Sequence, residues 1–260
     1  MPRRPVALIT GASLGLGAEF ARLFAANGYD LVITARSAGR LQDVRREVEG
    51  LHGASVRVIV ADLADPLAPK AIFDEVTAAG IEIDALVNNA GYGMYGFFHE
   101  TKLESNMDML QVNVNSLVHL TKLFIDGMVA RGRGHILNVA STAAFQPGPL
   151  QPIYYATKAF VLSFTEAIGN ELKGTGVTAT ALCPGPVPTG FQQRAGIERL
   201  SGLRIMMRTT PEAVVRAGFN GMIRGRAVVI PGVLNNIHVF LLRLFPRRMV
   251  TAVVRRVQTR

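Results

Sequence analysis

Three side chains in one stretch of this chain have the chemistry to exchange a proton with a carbonyl oxygen. Ser141, Tyr154 and Lys158 follow an apolar run, His135 to Ala140, that reads as a strand. Pro147, Pro149 and Pro152 exclude regular helix or a central strand in between, so that part is a loop. Pro152 suits the first turn of a new helix, and Ala156 to Leu172 carries helix-forming apolar spacing. On that helix Tyr154 and Lys158 are four residues apart and face the same way. A free phenol, with a pKa of ~10, holds its proton too tightly for exchange at neutral pH. An ammonium one turn away would stabilise the phenolate and lower that value. A serine hydroxyl can hold a carbonyl oxygen while the phenol protonates it. This is the acid half of a carbonyl reduction, and the hydride has to come from a cofactor. Tyr155 is the rival phenol, but its partner four residues on is Ala159. Taken alone, the Tyr/Lys pair fits an ordinary helix with a solvated lysine better than a site, so the surrounding elements decide.

Those elements alternate. Val6 to Thr10 is a short continuous apolar run, as expected of a buried parallel strand. It leads into Thr10-Gly11-Ala-Ser-Leu-Gly15-Leu-Gly17 and then helical periodicity to about Asn27. Glycines between strand and helix allow a tight turn, and the helix N-terminus offers free N–H groups to a pyrophosphate. A second strand, Asp30 to Ala35, ends at Arg36. In a dinucleotide fold this strand end meets the adenosine ribose, and an arginine there suits a 2′-phosphate, which favours NADP(H). Ser55 to Val60 is the third strand, with Asp62-Leu63 behind it, and a helix over Leu67–Ala79 follows. Ala85 to Val87 is the fourth strand, closed by Asn88-Asn89-Ala90-Gly91. Asn113 lies in a long apolar helix, Met107 to Ala130, where a buried amide needs partners and marks a kink or a site water. Such alternation implies right-handed crossovers and a parallel sheet covered on both faces.

Composition narrows the class further. With 49% apolar and 18% charged residues in 260, the chain is globular. One cysteine, Cys183, rules out an internal disulfide and fits a reducing compartment. The N-terminus lacks a signal-peptide core, and no stretch of ~20 apolar residues would span a membrane, so a cytoplasmic protein is expected. The net charge of +9 sits in one place: residues 213–260 hold nine arginines and no acid, while the rest balances. That argues against a nucleic-acid groove and for a local basic face. The five histidines (52, 99, 119, 135 and 238) are scattered, and no metal-ligand cluster appears.

Together, Thr10-Gly11-x3-Gly15-x-Gly17, Asn88-Asn89-Ala90-Gly91, Asn113, Ser141, Tyr154-x3-Lys158 and Pro184-Gly185 resemble the short-chain dehydrogenase/reductase family over about residues 5–232. The resemblance implies a Rossmann-type α/β fold, a doubly wound parallel sheet of about seven strands with helices on both faces. It implies Tyr154 as general acid/base, Lys158 lowering its pKa and binding the nicotinamide ribose, and Ser141 holding the substrate carbonyl. Asn113 would anchor a water relaying protons to Lys158. Cofactor contacts would come from Gly11, Ser13, Leu14, Gly15, Leu16 and Gly17 at the phosphates and Arg36 at the ribose. Asp62 and Leu63 would meet the adenine, and Asn89, Ala90 and Gly91 the adenosine side. Pro184 and Gly185 would lie beneath the nicotinamide, and Val187 and Thr189 would contact its carboxamide. Many NADP(H) members also carry a basic residue just before the middle glycine; here it is Leu14, so cofactor choice rests on Arg36.

The resemblance makes residues 1–232 one catalytic domain, with a mobile, mostly apolar lid at about 190–210, including Phe191, Ile197, Leu200 and Met206. Residues 233–260 read as a basic amphipathic helical extension, two short helices parted by Pro246. This tail could lie on an anionic membrane at the inner face, meet an acidic acyl carrier, or pack in an oligomer. It could also be a helix pair with a solvated basic face. The expected activity is NADP(H)-dependent interconversion of a ketone and a secondary alcohol, with a hydrophobic or 3-oxoacyl-like substrate. A steroid or polyketide ketone, or a non-catalytic NADP(H)-binding sensor or scaffold, are the alternatives. A homodimer or homotetramer is expected from the resemblance.

Overall fold

The computed structural model describes residues 3–188 and 209–259. In chain order the elements are β1 (Val6–Thr10), α1 (Gly15–Ala26), β2 (Asp30–Ala35), α2 (Ala38–His52), β3 (Val56–Val60), α3 (Ala68–Ala78) and β4 (Ala85–Asn88). Then come α4 (Leu103–Leu110), α5 (Ser116–Ala130), β5 (Gly134–Val139), α6 (Pro152–Glu171), β6 (Val177–Leu182), α7 (Pro211–Ile223), β7 (Val228–Val229), α8 (Val233–Leu242) and α9 (Arg247–Gln258). The expected Thr189 contact and the lid residues up to Arg208 lie outside the described residues.

The strands form one sheet in the order β3-β2-β1-β4-β5-β6-β7, and every pairing is parallel. All five residues of β1 are buried, because helices cover both faces and no side chain needs to meet water. Ala7 and Ile9 join the core on one face with Phe20, Phe24 and Val48. Val6 and Leu8 join the other with Ile72, Phe124 and Met128. On the first face Phe24 of α1 meets Phe219 of α7 edge-on, with ring centroids 5.0 Å apart.

Strand order reverses between β1 and β4: strands are added outward to β3, then outward on the opposite side to β7. Loops at the carboxyl ends diverge there and leave a crevice, the usual ligand position of such sheets. The expected long helix containing Asn113 is continuous but irregular. Gln111–Asn115 forms a single π turn between α4 and α5, a local widening that often accompanies functional sites.

A ladder of buried amides and hydroxyls crosses the middle of the sheet. Asn88 Nδ2 of β4 donates to Thr121 Oγ1 of α5 at 3.0 Å and to Asn138 Oδ1 of β5 at 2.9 Å. Asn138 Nδ2 donates in turn to Thr165 Oγ1 of α6 at 2.9 Å. Asn138 and Thr165 are fully buried. Asn138→Ala leaves a donor of Asn88 without its Asn138 acceptor and opens a cavity, so it should cost about 3 kcal/mol in urea unfolding. A loss below about 1 kcal/mol would show that the ladder is not needed to hold β5 against α6.

Candidate active site

Six loops reach the crevice, each at the carboxyl end of a strand. The first is the glycine-rich turn after β1. Gly11 and Gly15 adopt φ of 66° and 55°, open to glycine at little cost. Gly17 is fixed by contact instead: a Cβ there would lie 2.2 Å from the Gly11 carbonyl oxygen and 2.7 Å from Asn89 Nδ2. Ser13 and Leu14 form the turn, Leu14 partly exposed, and Leu16 packs against the core. No side chain caps α1 and no acid occupies its first turn, so its leading N–H groups stay available to an anion.

The loop after β4 is tied to this turn by Thr10, the first residue of the glycine-rich motif. Thr10 Oγ1 accepts from the backbone N–H groups of Asn89 and Ala90, both at 3.0 Å. Asn89 Nδ2 donates to the Thr10 carbonyl at 2.9 Å. The Asn89 side chain therefore braces two loops.

Arg36 and Asp62 converge at the ends of β2 and β3. The guanidinium lies 3.7 Å from the carboxylate, with side-chain exposures of 68% and 49%. Exposed pairs at this distance bind weakly, so Arg36 can turn to another anion at small cost. Asp62 Oδ1 also accepts from Ala64 N, and Leu63 is buried with its carbonyl accepting from Ser116 Oγ.

Ser141, Tyr154 and Lys158 are brought together by β5 and α6. Pro152 opens α6 at its first position, as the sequence implies. The intervening loop holds Leu150 at φ 67°, a left-handed conformation costly for a side-chain-bearing residue. Ser141 Oγ accepts from Ala143 N at 3.1 Å and donates to the Pro184 carbonyl at 3.4 Å. It also hydrogen-bonds the Tyr154 phenol. Lys158 Nζ lies 5.8 Å from the Tyr154 ring centroid, within cation–π reach. It donates to the Val139 carbonyl at 2.8 Å.

The electrostatics differ from the expectation that Lys158 lowers the phenol pKa. Burial holds the Tyr154 phenol well above its ordinary value, and the Ser141 hydrogen bond pulls it partly back. Burial also pushes Lys158 down to about 8, against a smaller upward pull from Cys183. The reason is solvation: for both groups the water lost on burial outweighs every other influence on the charged form. The Cys183 thiol, likewise buried, is pushed up to about 12 and is inert at neutral pH.

Asn113 is buried in the π turn and engaged on both sides of its amide. Its Nδ2 donates to the Tyr92 carbonyl at 2.9 Å and to Thr157 Oγ1 at 3.1 Å, and its Oδ1 accepts from Tyr92 N at 3.1 Å. Thr157 in turn donates to the Tyr154 carbonyl at 2.7 Å. A Cβ on Gly91 would sit 3.1 Å from Asn113 Oδ1 and 3.4 Å from Lys158 Nζ, so the two groups flank one point. Pro184 and Val187 are buried behind the site, and Gly185 is partly exposed.

The C-terminal helices enter the same region, where sequence reasoning placed no site residue. A Cβ on Gly185 would lie 2.5 Å from Asn235 Oδ1 of α8. Gln258 Nε2 of α9 donates to the Tyr155 hydroxyl at 2.7 Å, and Tyr95 donates to the Gln258 carbonyl at 2.5 Å. Tyr155 stands edge-on to Tyr154 with centroids 6.0 Å apart. No motif announces Asn235 or Gln258, because each acts through a long-range contact.

The depressed Lys158 value has a measurable sign. Below about pH 8 the folded and unfolded chains both carry the charge, and the folded one bears its full desolvation cost. Between about 8 and the ordinary value of 10.5 the folded chain sheds the proton first, so the cost fades as pH rises. Wild-type stability relative to Lys158→Met should therefore increase by roughly 3 kcal/mol across that window in urea titrations. A flat difference would mean that the ammonium is not desolvated.

The short chain dehydrogenase profile matches residues 5–200. A protein of Streptomyces virginiae described as a ketoacyl reductase of the monensin polyketide synthase is 38% identical over 214 residues, 81% of this chain and 79% of that protein. The very-long-chain 3-oxoacyl-CoA reductase of Anas platyrhynchos is 34% identical over 218 residues, 81% of this chain and 66% of that protein. Among solved structures, a short-chain dehydrogenase from Sphingobium yanoikuyae in complex with NADPH matches with a TM-score of 0.82 and 30% identity, covering 94% of this chain and 97% of that one. A profile match over most of the length, on a parallel sheet with these loops at its carboxyl edge, makes the chain a member of the short-chain dehydrogenase family, oxidoreductases of ketones and alcohols.

Proposed function

We propose that the chain is an NADP(H)-dependent reductase of a hydrophobic, 3-oxoacyl-like ketone, with Tyr154 as the proton donor to the carbonyl oxygen. The observation that carries this reading is the junction of Ser141, Tyr154 and Lys158 at the carboxyl edge of the sheet, after β5. The dinucleotide fits the residues present. The uncapped start of α1 offers its N–H groups to the pyrophosphate. Arg36 is exposed and loosely held, which supports a 2′-phosphate partner. When bound, the nicotinamide supplies the hydride for the carbonyl carbon.

The chain's own groups handle the oxygen. Ser141 Oγ holds the carbonyl oxygen beside the phenol. Tyr154 is neutral at physiological pH because burial disfavours phenolate, so it starts as an acid. Negative charge growing on the substrate oxygen draws the proton across. The Lys158 ammonium then stabilises the phenolate left behind, and its hold on Val139 fixes it one turn away. Asn113 keeps Tyr92 and Thr157 in place and positions the start of α6. In the reverse direction the same phenolate accepts the alcohol proton.

Beside the loop that follows Ser141 lies a cavity of about 390 Å³ that none of Ser141, Tyr154 and Lys158 lines, so it would take only the distal part of an apolar substrate. Phe145 and Pro147 line it from the loop after Ser141, and Val239, Leu242, Phe245 and Val250 from the tail. Arg243 and Arg247 stand at its wall and suit an anionic carrier group on an acyl chain.

NADPH oxidation followed by absorbance, with a panel of short- and long-chain 3-oxoacyl thioesters and steroid ketones, tests the reading. Tyr154→Phe should lower kcat by roughly 10²–10⁴ while NADPH still binds. Turnover that survives in Tyr154→Phe would remove the phenol from the mechanism. Arg36→Ala should raise the KM for NADPH about 10- to 100-fold and leave NADH nearly unaffected. An unchanged NADPH KM would place the 2′-phosphate elsewhere.

A further inference from the structure

The solvent face of α8 breaks the usual pattern of a surface helix. Asn235 and Val239 point inward and are buried. Helical spacing then puts Val233, Leu234, Ile237, Phe240 and Leu241 outward, and the row continues at Leu244. Each of these six is at least 43% exposed. An amphipathic helix normally turns polar residues to solvent here, and a contiguous apolar row of this kind marks a surface that meets something other than water.

Its neighbour supplies the charge. On α9, Val250, Val254 and Gln258 are buried, and Arg248, Arg255 and Arg256 are exposed beside Met249 and Val253. Residues 213–260 contain nine arginines and no acid. We propose that the apolar row of α8 and the arginines of α9 dock the enzyme on an anionic lipid bilayer. Large apolar side chains enter the acyl boundary while arginines meet the headgroups, as in helices that lie in the interface plane. No helix among the described residues is long and apolar enough to cross a membrane, so the attachment is peripheral.

Charge decides between this occupant and its rivals. A second copy packed about a two-fold axis would bring the same acid-free, arginine-rich helix pair against itself. An acidic carrier protein would answer the arginines but leave the apolar row in water. An anionic bilayer satisfies both. The inner side of α8 lines the proposed substrate cavity through Val239 and Leu242, so docking would set that cavity beside the lipid. The docking itself does not depend on the catalytic assignment.

The test is co-sedimentation of the full chain with vesicles of phosphatidylcholine alone and with added phosphatidylglycerol, at low and high salt. Binding is expected only with phosphatidylglycerol, weakened by salt. Phe240→Ser with Leu241→Ser should lower the affinity at least tenfold, and Arg248→Gln with Arg256→Gln roughly thirtyfold. Leu51→Ser, which removes an exposed leucine far from the tail in sequence, should leave it unchanged. Thermal melting checks that each variant folds, and the arginine pair carries the test if the α8 pair does not. Absent or lipid-independent binding overturns the proposal. Loss of an oligomer in sedimentation velocity on Phe240→Ser with Leu241→Ser, without vesicle binding by wild type, would assign the face to a second copy.

Discussion

The buried ladder from Asn88 through Asn138 to Thr165 sets the geometry on which the site depends. It joins β4, β5, α5 and α6 by side-chain hydrogen bonds in a place where an unmet amide would be costly. Apolar packing alone tolerates small slides of a helix over a sheet. A ladder with fixed donors and acceptors does not. Ser141 sits at the end of β5 and Tyr154 and Lys158 at the start of α6, so holding β5 against α6 fixes the distance between serine and phenol. Lys158 adds a second tie across the same seam through the Val139 carbonyl.

Desolvation is the counterpart of that rigidity. The interior that fixes the three side chains also strips water from two of them. Burial moves the phenol up and the ammonium down, which leaves both closer to neutral than free side chains would be. A site in this condition is poised for charge that develops during reaction. Among the described residues no carboxylate pairs with the ammonium, so an anion formed on the phenol would be its counter-charge.

The tail belongs to the site as much as to the surface. Asn235 fills the space above Gly185, and Gln258 hydrogen-bonds the tyrosine next to Tyr154. The helices that carry these contacts also carry the exposed apolar row and the arginines. A single pair of helices thus covers Gly185 and holds Tyr155 inward, and presents an apolar, arginine-bearing face outward.

Much of this could be read from residues in order. Apolar runs parted by Gly, Asn and Pro placed the first five strands within a residue or two, because period and turn chemistry are local. Gly11, Gly15 and Gly17 announced a strand-to-helix turn, and the four-residue spacing put Tyr154 and Lys158 on one face. Asn113 is a misfit in an apolar helix, and it occupies a π turn. What the order of residues could not contain was burial. The direction of the Tyr154 and Lys158 shifts depends on how much water the folded chain excludes, and the sequence suggested only that a lysine was near a phenol. Thr157, Asn235 and Gln258 have no local signature, since each works by reaching a group brought near only by folding. Proximity along a helix is written in the chain; proximity across the sheet, and the dielectric it creates, is decided by tertiary packing.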